Sequence, residues 1–136
     1  MTLISKAVRA VLAGNTAVAS VVSTRISPEA RQQGDALPCI IYAISEDESA
    51  PTLSGSGGFR KAQIEVMAVA DSAATAADVH EKARTALHKF VGTSGGVAVM
   101  HSLHLRSVTS YQSPQAGETA GAFLHTGIYS IMYSET

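Results

Sequence analysis

Along residues 2–13, Ile4, Ala7, Val8, Val11 and Leu12 return at helical spacing while Ser5, Lys6 and Arg9 fall on the other side. That pattern predicts an amphipathic helix, with Thr2 placed to cap it and Gly14-Asn15 to end it. A second short helical turn is expected over residues 16–22. Residues 23–36, holding Pro28 and Gly34 among polar neighbours, read as irregular. Residues 37–45 (LPCIIYAIS) are apolar on both faces of a strand, as expected of a strand that is central or covered on both sides. Residues 46–58 begin acidic and turn Ser/Gly-rich, which predicts a long loop. In residues 59–70 Ala62, Ile64, Val66 and Ala68 make one apolar strand face, and Lys61, Gln63 and Glu65 point the other way.

Residues 71–91 carry the strongest helical pattern. Ala76, Val79, Ala83, Leu87 and Phe90 form its apolar stripe, Asp71 or Ser72 is its cap, and Gly92 is placed to stop it. Asp78 and Lys82 stand at the favourable i,i+4 order. Residues 97–108 and 120–133 read as two more strands, joined by a polar loop over 110–119 with Pro114 and Gly117. On the last strand Phe123, Tyr129, Ile131 and Tyr133 share one face; Leu124, Ile128 and Met132 share the other. The order α-α-β-β-α-β-β predicts one α+β domain over residues 1–136. Its sheet is expected to be a single, mixed, mostly antiparallel one of four strands, with helices packed on one face.

Composition narrows the function classes. Of the 136 residues, 46% are hydrophobic and only 15% are charged, below the ~25% usual for a soluble domain. A surface so poor in charge is either neutral or covered by neighbours. With a net charge of −1 and no basic cluster, sequence-specific nucleic-acid binding is not expected. Cys39 is the sole cysteine, so no intrachain disulfide can form, which suits a reducing cytosol. Neither a signal peptide nor an apolar run of membrane-spanning length is visible, so a soluble protein made in the cytoplasm is expected.

Candidate chemistry does not assemble. His101 and His104 make an H-x-x-H, but on a strand that odd spacing sends them to opposite faces. His80 and His88 lack the carboxylate and second histidine of a zinc motif, so solvated or interfacial histidines are expected and no metal. The run Gly55-Ser56-Gly57-Gly58 leads into a strand rather than a helix, so it reads as a loop tip and not a phosphate cradle. No serine stands in a Gly-x-Ser-x-Gly elbow. Cys39 in an apolar strand reads as a small buried hydrophobe. The acidic run Glu46-Asp47-Glu48 reads as a solvated loop or partner contact ahead of a weak cation site. No enzyme activity and no cofactor are expected.

The order of elements and several phrases resemble the small tail-completion proteins of long-tailed phages and prophages, also called tail-to-head joining or tail terminator proteins. The matching pieces are the N-terminal helix, Arg25-Ile26, the strand Leu37-Pro38-Cys39-Ile40-Ile41-Tyr42, and the strand Arg60-x-x-Gln63-Ile64-Glu65-Val66. The last of these runs into a helix with Ala77, Val79, Ala83 and Ala86-Leu87. Cys39 stands where the family commonly has an aromatic. The resemblance covers nearly the whole chain in soft patterns, with no catalytic signature.

It implies a ring, usually a hexamer, at the head-proximal end of the tail tube. Such a ring stops tube polymerisation and offers a docking surface to the head connector. Its implied partners are further copies of itself, the tail tube protein and the connector, with DNA able to pass through the lumen. Its place is the virion, after assembly in the bacterial host cytoplasm. A closed ring joins two different patches of each subunit. The candidate subunit or tube contacts are Tyr42, Glu46, Asp47, Glu48, Phe59, Lys61, Gln63, Glu65, Tyr111, Phe123, Tyr129 and Tyr133. Against that, Tyr42, Phe123, Tyr129 and Tyr133 are equally suited to a core, and Lys61, Gln63 and Glu65 to plain solvent exposure. Two other readings stay open: a head–tail adaptor or head-closure protein, and a small-molecule-binding α+β domain, which would need a deep pocket with converging polar groups.

Overall fold

The computed structural model describes residues 3–28, 37–52, 55–94, 96–113 and 121–135. Nine elements follow one another: α1 (Leu3–Gly14), α2 (Thr16–Val22), β1 (Ile26–Pro28), β2 (Cys39–Thr52), β3 (Gly55–Ala70), α3 (Ala73–Leu87), β4 (Gly92–Ser94), β5 (Val97–Gln112) and β6 (Ala122–Glu135). They form one six-stranded sheet in the order β1-β2-β3-β6-β5-β4. Only β1 and β2 are parallel; every other neighbouring pair is antiparallel. The fold is therefore α+β with a mixed, mostly antiparallel sheet, as expected.

The strand count corrects the expectation of four. The four long strands lie at the centre, and the two additions are three-residue strands, β1 and β4, one on each outer side. Three residues are too few to show a period of two, and the segments Ile-Ser-Pro and Gly-Thr-Ser carry one β-former each among turn residues. Tertiary anchors hold them instead. Arg25 donates from Nε to the Pro38 carbonyl at 3.0 Å, and Ser94 Oγ donates to the Ala7 carbonyl at 3.1 Å, tying β4 to α1.

The long loop expected over 46–58 is mostly strand. Beyond Ile44 the β2–β3 ladder continues through a bulge to Glu46↔Gln63, Asp47↔Ala62, Glu48↔Lys61 and Ser49↔Arg60. Gly55-Ser56-Gly57-Gly58 opens β3 rather than forming a loop tip. Residues 46–52 carry no apolar alternation, so the hydrophobic pattern could not reveal the strand that the ladder forms there. Similarly β5 runs on to Gln112, into the segment expected to be loop, while residues 114–120 of that segment lie outside the described ones.

The helices start as their sequences dictate. Asn15, expected to end the first helix, caps the second, its side chain accepting from Val18 N at 3.1 Å. Ser72 caps α3 by accepting from Thr75 N at 3.2 Å. The end of α3 differs from expectation. It stops at Leu87, and the residue that takes positive φ is Lys89 (65°), whereas Gly92 (146°) begins β4. Asp78 and Lys82 form the expected ion pair along the exposed side of α3.

The core lies between the helices and one face of the sheet. Ile4, Ala7, Val8 and Leu12 of α1, Val18 and Val22 of α2, and Val79, Ala83 and Leu87 of α3 meet Ile40, Ile64, Val66, Val99 and Ile131. Tyr42, Tyr129 and Tyr133 are the largest fully buried side chains there. Burying such side chains stabilises by about 1.5–3 kcal/mol each.

Candidate functional site

The two faces of the sheet differ. Even-numbered positions of β3 meet the helices; Lys61, Gln63 and Glu65 face the opposite way, where no helix packs among the described residues. On that open face a smaller cluster of Cys39, Val69 and Ala122 is flanked by Leu37, Ile41, Met67 and Leu124. Cys39 is buried, as expected of a small hydrophobe. Further along, Glu46, Lys61, Gln63, Leu105 and Ser130 from four strands rim a shallow hollow of about 150 Å³. A second shallow hollow of about 340 Å³, lined by Val11, Ala86 and Phe90 among others, lies where α1, α3 and β4 meet. The first is small and mostly polar, rimmed by Glu46, Lys61, Gln63 and Ser130, whereas the second is open and lined mainly by apolar and small residues.

The candidate contact residues separate into two groups. Tyr42, Tyr129 and Tyr133 are 0–1% exposed and belong to the core, so a surface role for them is corrected by their packing under the helices. Tyr133 also donates its hydroxyl proton to Asp47 Oδ1 at 2.8 Å, and Arg60 Nε lies 3.3 Å from the same oxygen. Asp47 thereby acts as an internal clamp between β2, β3 and β6. Glu46 and Lys61 are exposed, and Gln63 and Glu65 half-buried, on the uncovered face. Tyr111 is 55% exposed and stacks at a tilt on half-buried Phe123, with ring centroids 5.0 Å apart. Gly121 leaves room for that phenol, since a Cβ there would stand 2.3 Å from Tyr111 Oη. Glu48 and Phe59 lie on the β2 and β3 backbones, their side chains outside those described.

Four of the five large apolar side chains that are exposed among the described residues lie on β5. Leu103, Leu105, Val108 and Tyr111 are 40–55% exposed, and only Tyr111 was among the expected contacts. The missed signal is the bulge between His104 and Arg106, which breaks strand alternation and leaves Leu105 outside the ladder.

The histidines also depart from expectation. His101 and His104 do lie on opposite faces, paired with Met132 and core Tyr129 respectively. His80, however, is only 4% exposed. Its ring stacks on His125 at 4.0 Å, meets His104 edge-on at 5.6 Å, and shares Ser107 Oγ with His104 at 3.0 and 2.9 Å. Burial, then the nearby His125 and His104, lower the His80 pKa to about 4; burial and then Arg84 lower that of His104. Burial pushes the Tyr129 phenol up. Among the described residues no three His, Cys, Asp or Glu side chains gather to hold a metal. The group is a packing cluster wedged between α3 and the β5–β6 pair. His80 directly follows Val79 of the apolar stripe, and that adjacency was the available sign of its burial.

Residues 6–99 match the family of the tail completion protein gp17. The chain belongs to that family. No curated protein matches the chain. Among solved structures, the fold is similar to a chain of the virion of a native gene transfer agent particle, at a TM-score of 0.69 and 16% identity, covering 94% of this chain and 92% of that one. At such identity the likeness establishes the fold alone. Membership makes this tail-completion protein a structural component of a phage-type tail, located in the virion, and not an enzyme. A site in such a protein is a surface, and the surfaces are the uncovered sheet face and the two outer strand edges.

Proposed function

We propose that the protein closes into a ring, of six copies, at the head-proximal end of the tail tube. There it ends tube polymerisation and presents a docking surface to the head connector. The observation that carries this reading is the pair of unlike open flanks. One lies along β2 with exposed Glu46; the other lies along β5 on the far side of the same sheet, where exposed Leu105, Val108 and Tyr111 are interspersed with polar residues and Arg106. A ring needs two different patches of this kind, while a two-fold dimer needs one patch that matches itself. The uncovered face with Lys61, Gln63 and Glu65 is suited to a lumen wide enough for DNA, or to the end of the tube.

Two measurements test it. Light scattering of the protein, alone and with tail tube protein, is expected to give a closed assembly of fixed mass in at least one condition. Electron microscopy of particles assembled without the protein is expected to show abnormally long tails. Finished tails beside leaking heads would overturn termination and assign head closure instead.

A further inference from the structure

Two long stretches of strand have no strand beside them on their outer side among the described residues. On β2 the parallel β1 covers only residues 40–42, leaving 43–52 open. On β5 the short β4 covers 97–99. The chain after α3 then closes the next positions: Lys89 N donates to the Ser102 carbonyl at 2.6 Å, and His104 N donates to His88 Nδ1 at 3.0 Å. From Leu105, in the bulge, to Gln112 (LRSVTSYQ) all eight side chains are exposed; residues 106–112 pair with β6 on one side and, among the described residues, with no strand on the other. Soluble proteins guard such edges with lysine, proline or a cover. Here Arg106 is the one charge in eight residues rich in β-formers.

Strand direction sets how a second copy can add. β2, β3, β6 and β5 each run antiparallel to the last, so β5 runs opposite to β2. A rotation that carries β2 of the next copy beside β5 therefore pairs them antiparallel, with regular main-chain hydrogen bonding. Charge agrees: β5 brings Arg106, and open β2 brings exposed Glu46 with Glu48 two residues on, while Asp47 is held inside the subunit by Tyr133 and Arg60. Height agrees as well. Through the ladders Ala43 is level with Glu65, Ile128 and Arg106, and Ser49 with Arg60 and Tyr133. Strands of a closed barrel tilt by about 35–45°. Over four strands spaced ~4.8 Å, that tilt shifts the next copy by roughly 13–19 Å, or about 4–6 residues. A shift of that size sets residues 105–112 against residues 43–49.

We infer that residues 105–112 of β5 pair antiparallel with residues 43–49 of β2 in a second copy, making one continuous sheet from subunit to subunit. The inference rests on the ring reading above and names its joint. Each copy uses β5 towards one neighbour and β2 towards the other.

Charge-swapped copies test it. Arg106→Glu and Glu48→Arg, the two positions that a four-residue shift brings opposite each other, are made separately, checked for an unchanged far-UV spectrum, and measured by light scattering with tail tube protein present. Each alone is expected to assemble roughly tenfold or more weakly than wild type, because like charges then face across the joint. An equimolar mixture is expected to restore assembly, since alternating copies meet wild-type and swapped partners in turn. In wild type, backbone amides of 105–112 and 43–49 are expected to exchange more slowly in the assembly than in the monomer. Variants that assemble like wild type, or amides whose exchange is unchanged, would overturn the joint while leaving the ring. A mixture that stays dissociated, or a two-fold dimer touched only by Arg106→Glu, would overturn head-to-tail pairing. Wild-type protein that never assembles would overturn the ring reading and the joint together.

Discussion

Strand β5 is two different surfaces in one element. Its first residues, with Val97, Val99 and Ser102 buried, pack under the helices; its last eight are exposed throughout. The first half is held by side-chain packing, as Val99 meets Tyr133 and Ser102 meets Ile131 across the ladder. The second half is held by main-chain bonds to β6 on one side only, and its apolar side chains end in solvent. Burial thus accounts for the fold in one half. The other half carries β-forming residues whose use lies outside the subunit.

The contrast is broken most severely from the core side. Tyr129→Ala removes a fully buried ring and is expected to cost about 3–5 kcal/mol of stability, read as a lower urea midpoint. Gly127→Ala acts at the same place by addition. The new Cβ would stand 2.9 Å from both His80 Cε1 and Tyr129 Cε1, two rings already fixed by their neighbours. Overpacking there is expected to cost about 1–3 kcal/mol. A midpoint unchanged in either variant would show that the His80–Tyr129 packing does not hold the helix to the sheet.

A pH titration tests the same packing without mutation. In the unfolded chain His80 takes up its proton near 6.5, whereas in the folded chain it does so only near 4, chiefly through burial and then through His125 and His104. Between those values the unfolded state binds more protons, so stability rises with pH across that window. The contribution is complete above about 6.5 and is lost progressively as pH falls towards about 4. His80→Gln is expected to flatten that slope in urea unfolding measured at successive pH values. A slope equal to that of wild type would place the acid sensitivity elsewhere, with His104, whose pKa burial also lowers, the next group to test.

Legibility in the sequence followed the same division. Where side chains bury, the pattern was readable. Ile4, Val8 and Leu12, the stripe Ala76–Val79–Ala83–Leu87, and the alternation of Ala62, Ile64 and Val66 all meet the core as their spacing predicts. Where the residues carry no apolar alternation, as at 46–52 and 55–58, there was no periodic signal and the arms read as loop. The tyrosines were ambiguous for a physical reason. A ring with one polar atom suits a core with a partner as well as an interface, and only the register that puts Tyr133 beside Asp47 decides it. The histidine cluster depends on three elements converging, which no local window contains.

The smallest effect on folding is the most informative about assembly. Val108→Ser and Leu105→Ser each replace a side chain that is about half exposed, 51% and 50% respectively. Little transfer free energy is then at stake in the isolated subunit. Each is expected to shift stability by no more than about 0.5 kcal/mol. In a joined sheet the same side chains would be covered by the next copy, so assembly should weaken although folding does not. The urea midpoint and the mass by light scattering, measured on one preparation, separate the two quantities. A variant that lost stability and assembly in proportion would make β5 a uniform core strand, and the contrast between its halves would disappear.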